Sequence, residues 1–333
     1  MKLLSKQAFE TATRYIKQNA DPINQAWYSY NFEGMSTDAF MDVLAKYQYD
    51  NGGFGGLVYE YEYNGPMLHD TEHAFRYIFY LKEKPSAEHP VIQKMMKYVL
   101  ERYIRGLGCW GELLEPEVNH FAHVPWWSYG GNETTYIENE DERIKAYSAN
   151  GQASFAAFVA RYNELVPQEL YKDIIKYPAE KILRYYDENS PLFRQSRTDK
   201  SHVDEIAVPY NMKCFQHFVA CLKDKSLADK LSGILSQHPT ECMQLDYGKW
   251  EDGYEELPCD IVSTPDSVIY PAVIDLVDES LSYLIRQMKD DGAWHLTWHF
   301  GEDEAFRKLE RQYEMHLTMR ILAELNRFGR IER

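Results

Sequence analysis

The stretch Gln287-Met-Lys-Asp-Asp-Gly-Ala-Trp294 closes a long segment of helical apolar periodicity, and it carries more chemistry than a polar turn needs. Three other segments end alike: Tyr47 to Gly56 (YQYDNGGFGG), Tyr103 to Glu112 (YIRGLGCWGE) and Leu245 to Gly253 (LDYGKWEDG). Each sets a glycine one or two residues before an aromatic, at a recurring place in the chain. Glycine reaches the left-handed conformation that closes a helix, and the ring after it can fold back over the helix end and the next helix. A glutamine side chain offers both donor and acceptor to backbone groups orphaned there. The stretch therefore reads as a structural clasp, against the plainer alternative of coincidental turns in a tyrosine-rich chain.

Between the clasps, apolar residues recur at helical spacing, and no hairpin dipeptide flanked by alternating strands interrupts them. The spacing predicts helices over 3–18, 22–32, 36–47, 71–82, 88–104, 151–164, 168–187, 207–222, 225–237, 267–289 and 303–327. Ser36, Ser226, Pro90 and Pro167 stand at or near predicted starts, where a capping hydroxyl or a missing amide costs nothing. The helices pair through short links, Lys82 to Glu88 and Lys223 to Lys225 being the clearest. The fold class is all-α.

The 333 residues hold no Pro/Gly/Ser-rich linker, and the longest charge run, Glu138 to Arg143, covers only six residues, so one domain over 1–333 is expected. A formal charge of −16 and the lack of a basic cluster argue against nucleic acid as a partner. The most apolar window, Ala153 to Ala160, is too short to span a bilayer, and the N-terminus turns polar too soon for a signal peptide. Five cysteines without a C-x-x-C spacing point to reduced thiols and a cytoplasmic setting. Aromatics make up 14% of the chain, more than a helical core usually needs, so some of them are expected to line a cavity.

Gln48 to Phe54 and Gln287 to Trp294 resemble degenerate QW repeats of the terpenoid cyclase and protein prenyltransferase superfamily. The similarity is greatest to a group of smaller bacterial proteins, prenyltransferase-like or cyclase-like, of unestablished activity. It runs over most of the chain and rests on Asn51 to Glu60 (NGGFGGLVYE), Glu115 to Trp127 (EPEVNHFAHVPWW), and Asp291 to Trp298 followed by Leu317 to Glu332. The string His-x-Pro-Trp-Trp is the most specific part. The resemblance implies an (α/α) toroid of about five to six helical hairpins around a central cavity. Its activities do not carry over: the Asp-x-Asp-Asp acid, the Asp-Asp-x-x-Asp magnesium site and the Asp-x-Cys zinc pair are all missing.

Two stretches could carry chemistry. In Leu68 to Phe75 (LHDTEHAF), His69 and His73 lie one turn apart with Asp70 and Glu72 beside them. Zinc chelation by the two imidazoles is the alternative there to a polar helix start facing the cavity; no cofactor is expected otherwise. In Glu115 to Trp127, the residues Glu117, His120, His123, Trp126 and Trp127 share a segment that Pro116 and Pro125 hold out of regular helix, as a pocket mouth or as a plug whose histidines satisfy carbonyls. Asp70, Glu72, Glu117, His120 and His123 are the candidate acids and bases. Trp126, Trp127, Trp294 and Trp298, with His69 and His73, are the candidate ligand-binding residues. Further acids fall near predicted helix starts: Glu60, Glu62, Asp204, Glu205, Asp260 and Asp266.

These features lead first to a toroid whose aromatic-lined cavity binds or transforms an isoprenoid-like hydrophobic small molecule. A carbohydrate-active hydrolase or lyase on the same scaffold is the second expectation, and a non-catalytic binding protein the third. The lining discriminates: mostly ring faces and aliphatics favour the first, paired carboxylates with a groove open at both ends the second, and a cavity filled by the protein's own side chains the third.

Overall fold

Helix starts in this chain are written by short polar residues. The side chains of Ser5, Asp21, Ser36 and Asp224 accept from the amides of Ala8, Asn24, Ala39 and Leu227 and so cap four helices. The computed structural model describes residues 2–130, 149–191, 193–194, 209–251 and 257–332. The charge run Glu138 to Arg143 and the acids Asp204 and Glu205 lie outside the described residues. Twelve α-helices occur among the described residues. They are α1 Lys6–Asn19, α2 Pro22–Phe32, α3 Thr37–Leu44, α4 Leu68–Phe79, α5 Pro90–Glu101 and α6 Ala149–Arg161, then α7 Gln168–Tyr186, α8 Pro209–Cys221, α9 Lys225–Leu235, α10 Pro258–Ile261, α11 Tyr270–Gln287 and α12 Glu304–Arg327. The all-α expectation holds, and no helix among the described residues is long and apolar enough to cross a membrane.

Differences from the sequence reading are local. Helix α4 begins at Leu68 rather than 71, its first turn held by main-chain bonds: the His69 amide donates to the Leu113 carbonyl at 3.0 Å and the Thr71 amide to the Met67 carbonyl at 3.1 Å. The segment predicted as helix to 104 stops at Glu101, and Tyr103–Ile104 (β1) pairs antiparallel with Cys109–Trp110 (β2) around Gly108, whose φ is +69°. The short helix α10 went unforeseen, being a single turn started by Pro258. For α9 the cap is Asp224, not Ser226.

The clasps are the most regular feature. At the first, the Tyr49 amide donates to the Gly53 carbonyl and the Gly52 amide to Tyr49, Asn51 Oδ1 accepts from Gly53, and Thr71 Oγ1 accepts from Phe54. At the last, Lys289 donates to Ala293, Gly292 to Lys289, Asp291 Oδ1 accepts from Ala293, and Thr318 Oγ1 accepts from Trp294. The four bonds recur one for one. At the second clasp a side chain on the following helix again receives the aromatic residue: Gln152 Oε1 accepts from the Trp110 amide at 2.8 Å, and its Nε2 returns a bond to the Trp110 carbonyl.

Indole nitrogens finish the preceding helices. Trp110 Nε1 donates to Val99 and Trp294 Nε1 to Leu284, each at 2.7 Å, and both carbonyls belong to the last turn of their helix, which has no helical partner for them. Phe54 has no such donor, and there Gln48 Nε2 bonds Gly52 and Val91 instead. The fourth segment departs from the pattern: Gly248 sits in a 3-10 turn without positive φ, and Trp250 Nε1 reaches only back to Gln244.

Packing follows sequence order with one long return. Helix α4 packs on α6, α6 on α7 and α8, α8 on α9 and α10, and α10 on α11; α12 returns to pack on α1 and α2. The buried alanines 153, 156, 157 and 160 let α6 lie close to its neighbours, and Ser154 Oγ meets Cys214 Sγ across the α6–α8 contact. The chain ends meet as well, in a parallel bridge between Leu4 and Ile331. All five cysteines are buried and unpaired with one another.

A pH-dependent link closes the last clasp. His295 stands between Asp291 at 2.9 Å and Glu314 at 3.0 Å. Burial alone would lower its pKa, but hydrogen bonds to Glu314 and Asp291 outweigh burial and raise it, while the Ala293 amide and His295 help hold Asp291 below the usual carboxylate range. A raised imidazole pKa means stability present below the unfolded value, ~6.5, and lost as pH climbs through the folded one. The Asp291 contribution runs the other way, being lost only in acid. His295→Gln is therefore expected to lower the urea midpoint more at pH 6 than at pH 9, and an equal loss at both values would contradict the charge assignment.

Candidate functional site

The irregular segment after the first clasp, residues 57–63, is tied down by a buried carboxylate. Asp70 accepts from the amides of Leu57 at 2.6 Å and Val58 at 3.2 Å and from Tyr61 Oη at 2.7 Å. Burial pushes its pKa up to about 7 against those donors. Asp70 thus shapes the loop and lies outside the cavity lining. The loop in turn recruits the Pro-Trp-Trp segment through main-chain bonds: Val124 donates to the Glu60 carbonyl, Glu62 to Ala122, and Tyr61 bridges His123 antiparallel.

Those bonds bring two neighbouring indoles onto one carboxylate. Trp126 Nε1 donates to Glu60 Oε1 and Trp127 Nε1 to Oε2, both at 3.0 Å. Desolvation raises the Glu60 pKa, and the two indole donors and Arg76 offset only part of the rise. Glu60 looks into a cavity of about 380 Å³. Its outer wall is aromatic: Trp126 and Trp298 meet edge to face at 5.6 Å, both packed on Phe300, and the Trp127 ring lies 4.1 Å from His69.

The deeper wall is polar and comes from two helices. On α4, His69, Glu72, His73 and Arg76 form a stripe at helical spacing. Glu72 accepts from Arg76 Nε at 2.9 Å and from Ser154 Oγ at 2.7 Å. On α12, Tyr313, His316 and Arg320 form the matching stripe, with Arg320 paired to Asp260 of α10 at 3.2 Å. Burial lowers the pKa of His69 and of His316 to about 3 and that of His73 well below its ordinary value, so all three imidazoles are neutral. Arg76 and Arg320 each face a carboxylate, which leaves this cavity without a surplus of cations among the described residues.

The predicted site residues divide cleanly. His69, Glu72, His73, Trp126, Trp127 and Trp298 line the cavity together. Glu117 and His120 are exposed and away from it. His123 bonds the Phe121 carbonyl and Ser128 Oγ, the plug-like arrangement in which an imidazole satisfies a carbonyl. Trp294 is buried under its helix end, in the clasp. Of the further acids, Glu60 and Asp260 reach the cavity, Glu62 pairs with Lys308 at 2.7 Å, and Asp266 is exposed.

For zinc, His69 Nδ1 lies 3.1 Å from Tyr61 Oη and its ring meets His73 edge to face at 5.0 Å, while among the described residues no three His, Cys, Asp or Glu side chains stand in a metal-holding arrangement. Sequence reasoning missed Arg76, His316 and Arg320. Their signal was a polar stripe at three- and four-residue spacing on otherwise apolar helices. Comparison with protein-family models, curated proteins and solved structures finds no match for this chain.

Proposed function

We propose that the helices close into an (α/α) toroid, with the cavity on its axis, and that the cavity binds a polyhydroxylated, sugar-like molecule and acts on it as a hydrolase or lyase with Glu60 as proton donor. The toroid is supported by a run of packed helices from α4 and α6 on to α11, by α12 returning to pack on α1 and α2, and by chain ends that meet. On this reading the scaffold is that of the terpenoid cyclases and protein prenyltransferases, while the chemistry differs.

The observation that carries the function is Glu60: a desolvated carboxyl held by two indole donors at the edge of an aromatic-walled cavity. A raised carboxyl pKa leaves more of the acid protonated near neutrality, as proton donation to a leaving oxygen requires. Indole faces suit the apolar faces of a sugar ring, and the neutral imidazoles and paired charges beneath offer partners to hydroxyls. A hydrocarbon in the same place would strip water from Glu72, Arg76, Asp260 and Arg320 without replacing their bonds. A diphosphate would meet guanidinium groups already matched by carboxylates.

Thermal-shift screening with neutral oligosaccharides, prenyl diphosphates and metals is the test, since a selective ligand raises Tm by mass action. A saccharide is expected to raise Tm, and Trp126→Phe with Trp127→Phe to remove the shift. With any saccharide that is cleaved, Glu60→Gln is expected to slow turnover by about 10²–10⁴ while leaving binding within a few fold. Stabilisation by prenyl diphosphates alone would overturn the reading. That outcome belongs to the second reading, an isoprenoid-like ligand, which the apolar side of the cavity favours through Val58, Leu113, Leu296 and Leu317.

A further inference from the structure

Behind the first cavity lies a second of about 90 Å³, and the two share His73, Arg76, His316 and Arg320 in their walls. The inner chamber is built from α2, α4, α8 and α12, which contribute Trp27, Tyr77, Lys213, Glu324 and Arg327. Two of the lining oxygens have no hydrogen-bond partner among the described residues. Tyr77 Oη and Glu324 Oε1 are both buried and unbonded, on side chains that are 7% and 2% exposed. Orphaned buried polar atoms cost about 1–3 kcal/mol each, so two facing one chamber mark a place shaped for something else to bond.

The charges of the chamber indicate what that is. Arg76 and Arg320 are matched by Glu72 and Asp260. Lys213 forms no ion pair among the described residues, and Arg327 spends its Nε on the Ser263 carbonyl at 2.9 Å while its guanidinium lies 4.4 Å from the Tyr80 ring centre. Two cations therefore face the chamber without an ion-paired carboxylate among the described residues. Glu324 is the only acid in the lining described, and burial together with Asp260 raises its pKa to about 7, against Arg327, Lys213 and Arg320. A carboxyl in that state is a hydrogen-bond donor as much as a charge.

We propose that the inner chamber binds the carboxylate of a small acid, with Lys213 and Arg327 supplying the charge and Tyr77 and Glu324 the hydrogen bonds, so that the ligand on the indole wall is a sugar acid. This rests on the saccharide reading of the outer cavity for the body of the ligand; the anion site rests on the chamber alone. The chamber is small enough to take one planar carboxylate and leave the rest of the molecule in the 380 Å³ beyond.

Calorimetric titration of the full chain with glucose, glucuronate, acetate and inorganic phosphate tests the assignment. Glucuronate is expected to bind at least tenfold tighter than glucose, and Lys213→Met to remove about that tenfold without altering glucose binding. Tyr77→Phe deletes an unbonded hydroxyl, so it is expected to fold as the parent does and to weaken glucuronate about fivefold. Glucose and glucuronate binding equally would overturn the anion site and leave the saccharide reading standing. Acetate binding that Lys213→Met abolishes, with neither sugar bound, would uphold the anion site and defeat the saccharide reading. Binding of phosphate in preference to both carboxylates would overturn the assignment to a carboxylate.

Discussion

Gly292→Ala is expected to destabilise the protein by about 3–5 kcal/mol, in the upper tail for a single substitution. Gly292 has φ +92°, and a Cβ there would sit 2.6 Å from the carbonyl carbon and oxygen of Thr11 and 2.8 Å from the Ala12 nitrogen. These are main-chain atoms of α1, so no side-chain rotation relieves the overlap. Either α1 moves off the last clasp or the clasp opens, and opening it releases Trp294 from Leu284 and Thr318. Gly52→Ala is expected to behave alike, because its Cβ would fall 2.0 Å from the Lys94 carbonyl oxygen of α5. Gly34 separates conformation from contact: its φ is +78° with nothing within 4 Å, so Gly34→Ala is expected to cost only about 1–2 kcal/mol. Urea unfolding of the three variants decides the matter. A Gly292→Ala loss no larger than that of Gly34→Ala would show that the glycine is not where a helix docks.

The second large effect is expected at Arg330. Its side chain is 1% exposed and ties three parts of the chain together: Nε donates to the Lys2 carbonyl at 2.9 Å, Nη1 to Asp278 at 2.6 Å, and Nη2 to Ser282 Oγ at 2.9 Å. Beside it, Leu4 donates to the Arg330 carbonyl and Glu332 to Leu4, which joins the two ends of the chain. Arg330→Met removes the cation and leaves the Lys2 carbonyl without it, a loss of about 2–3 kcal/mol, because Asp278 is 38% exposed and water takes over part of the lost pairing. Lysine keeps the charge but not the planar fork, so Arg330→Lys is expected to recover less than half. Amide exchange at Leu4 offers a local readout, expected to accelerate by more than the change in global stability accounts for if the chain ends part first. Slow exchange at Leu4 in a destabilised Arg330→Met protein would mean the seal lies elsewhere.

Both effects act on features that could be read from the chain to different depths. The glycine and ring of each clasp were legible because left-handed backbone and helix termination are local properties. Gly52, Gly108 and Gly292 all take positive φ, as that reading requires. What the glycine touches was not legible, since Thr11 lies 281 positions before Gly292. Similarly, His69, Glu72 and His73 could be picked out as a cluster from one helical turn. Their partners on α12 could not, because no rule of spacing relates residue 73 to residue 316.

Glu60 shows the limit best. In the sequence it is one of six further acids near predicted helix starts, and its neighbours give no reason to prefer it to Glu62 or Asp260. The pair Trp126 and Trp127 was singled out as unusual, but with two roles open, mouth or plug. Main-chain pairing between residues 60–62 and 122–124 gives both indole donors the same carboxylate, so the segment both walls the cavity and fixes an acid in it. Glu117 and His120, equally prominent in the string, stay in water.

The sequence by itself determined that the chain is helical, where most of its helices run and the places where the chain must turn, because propensity, capping and left-handed backbone depend on residues within about one turn of each other. Tertiary structure alone decided which acids are desolvated, which cations have no carboxylate beside them among the described residues and where the two cavities lie. Burial and charge pairing are set by groups brought together from distant positions, and a pKa or an orphaned hydrogen bond has no value until those neighbours are in place.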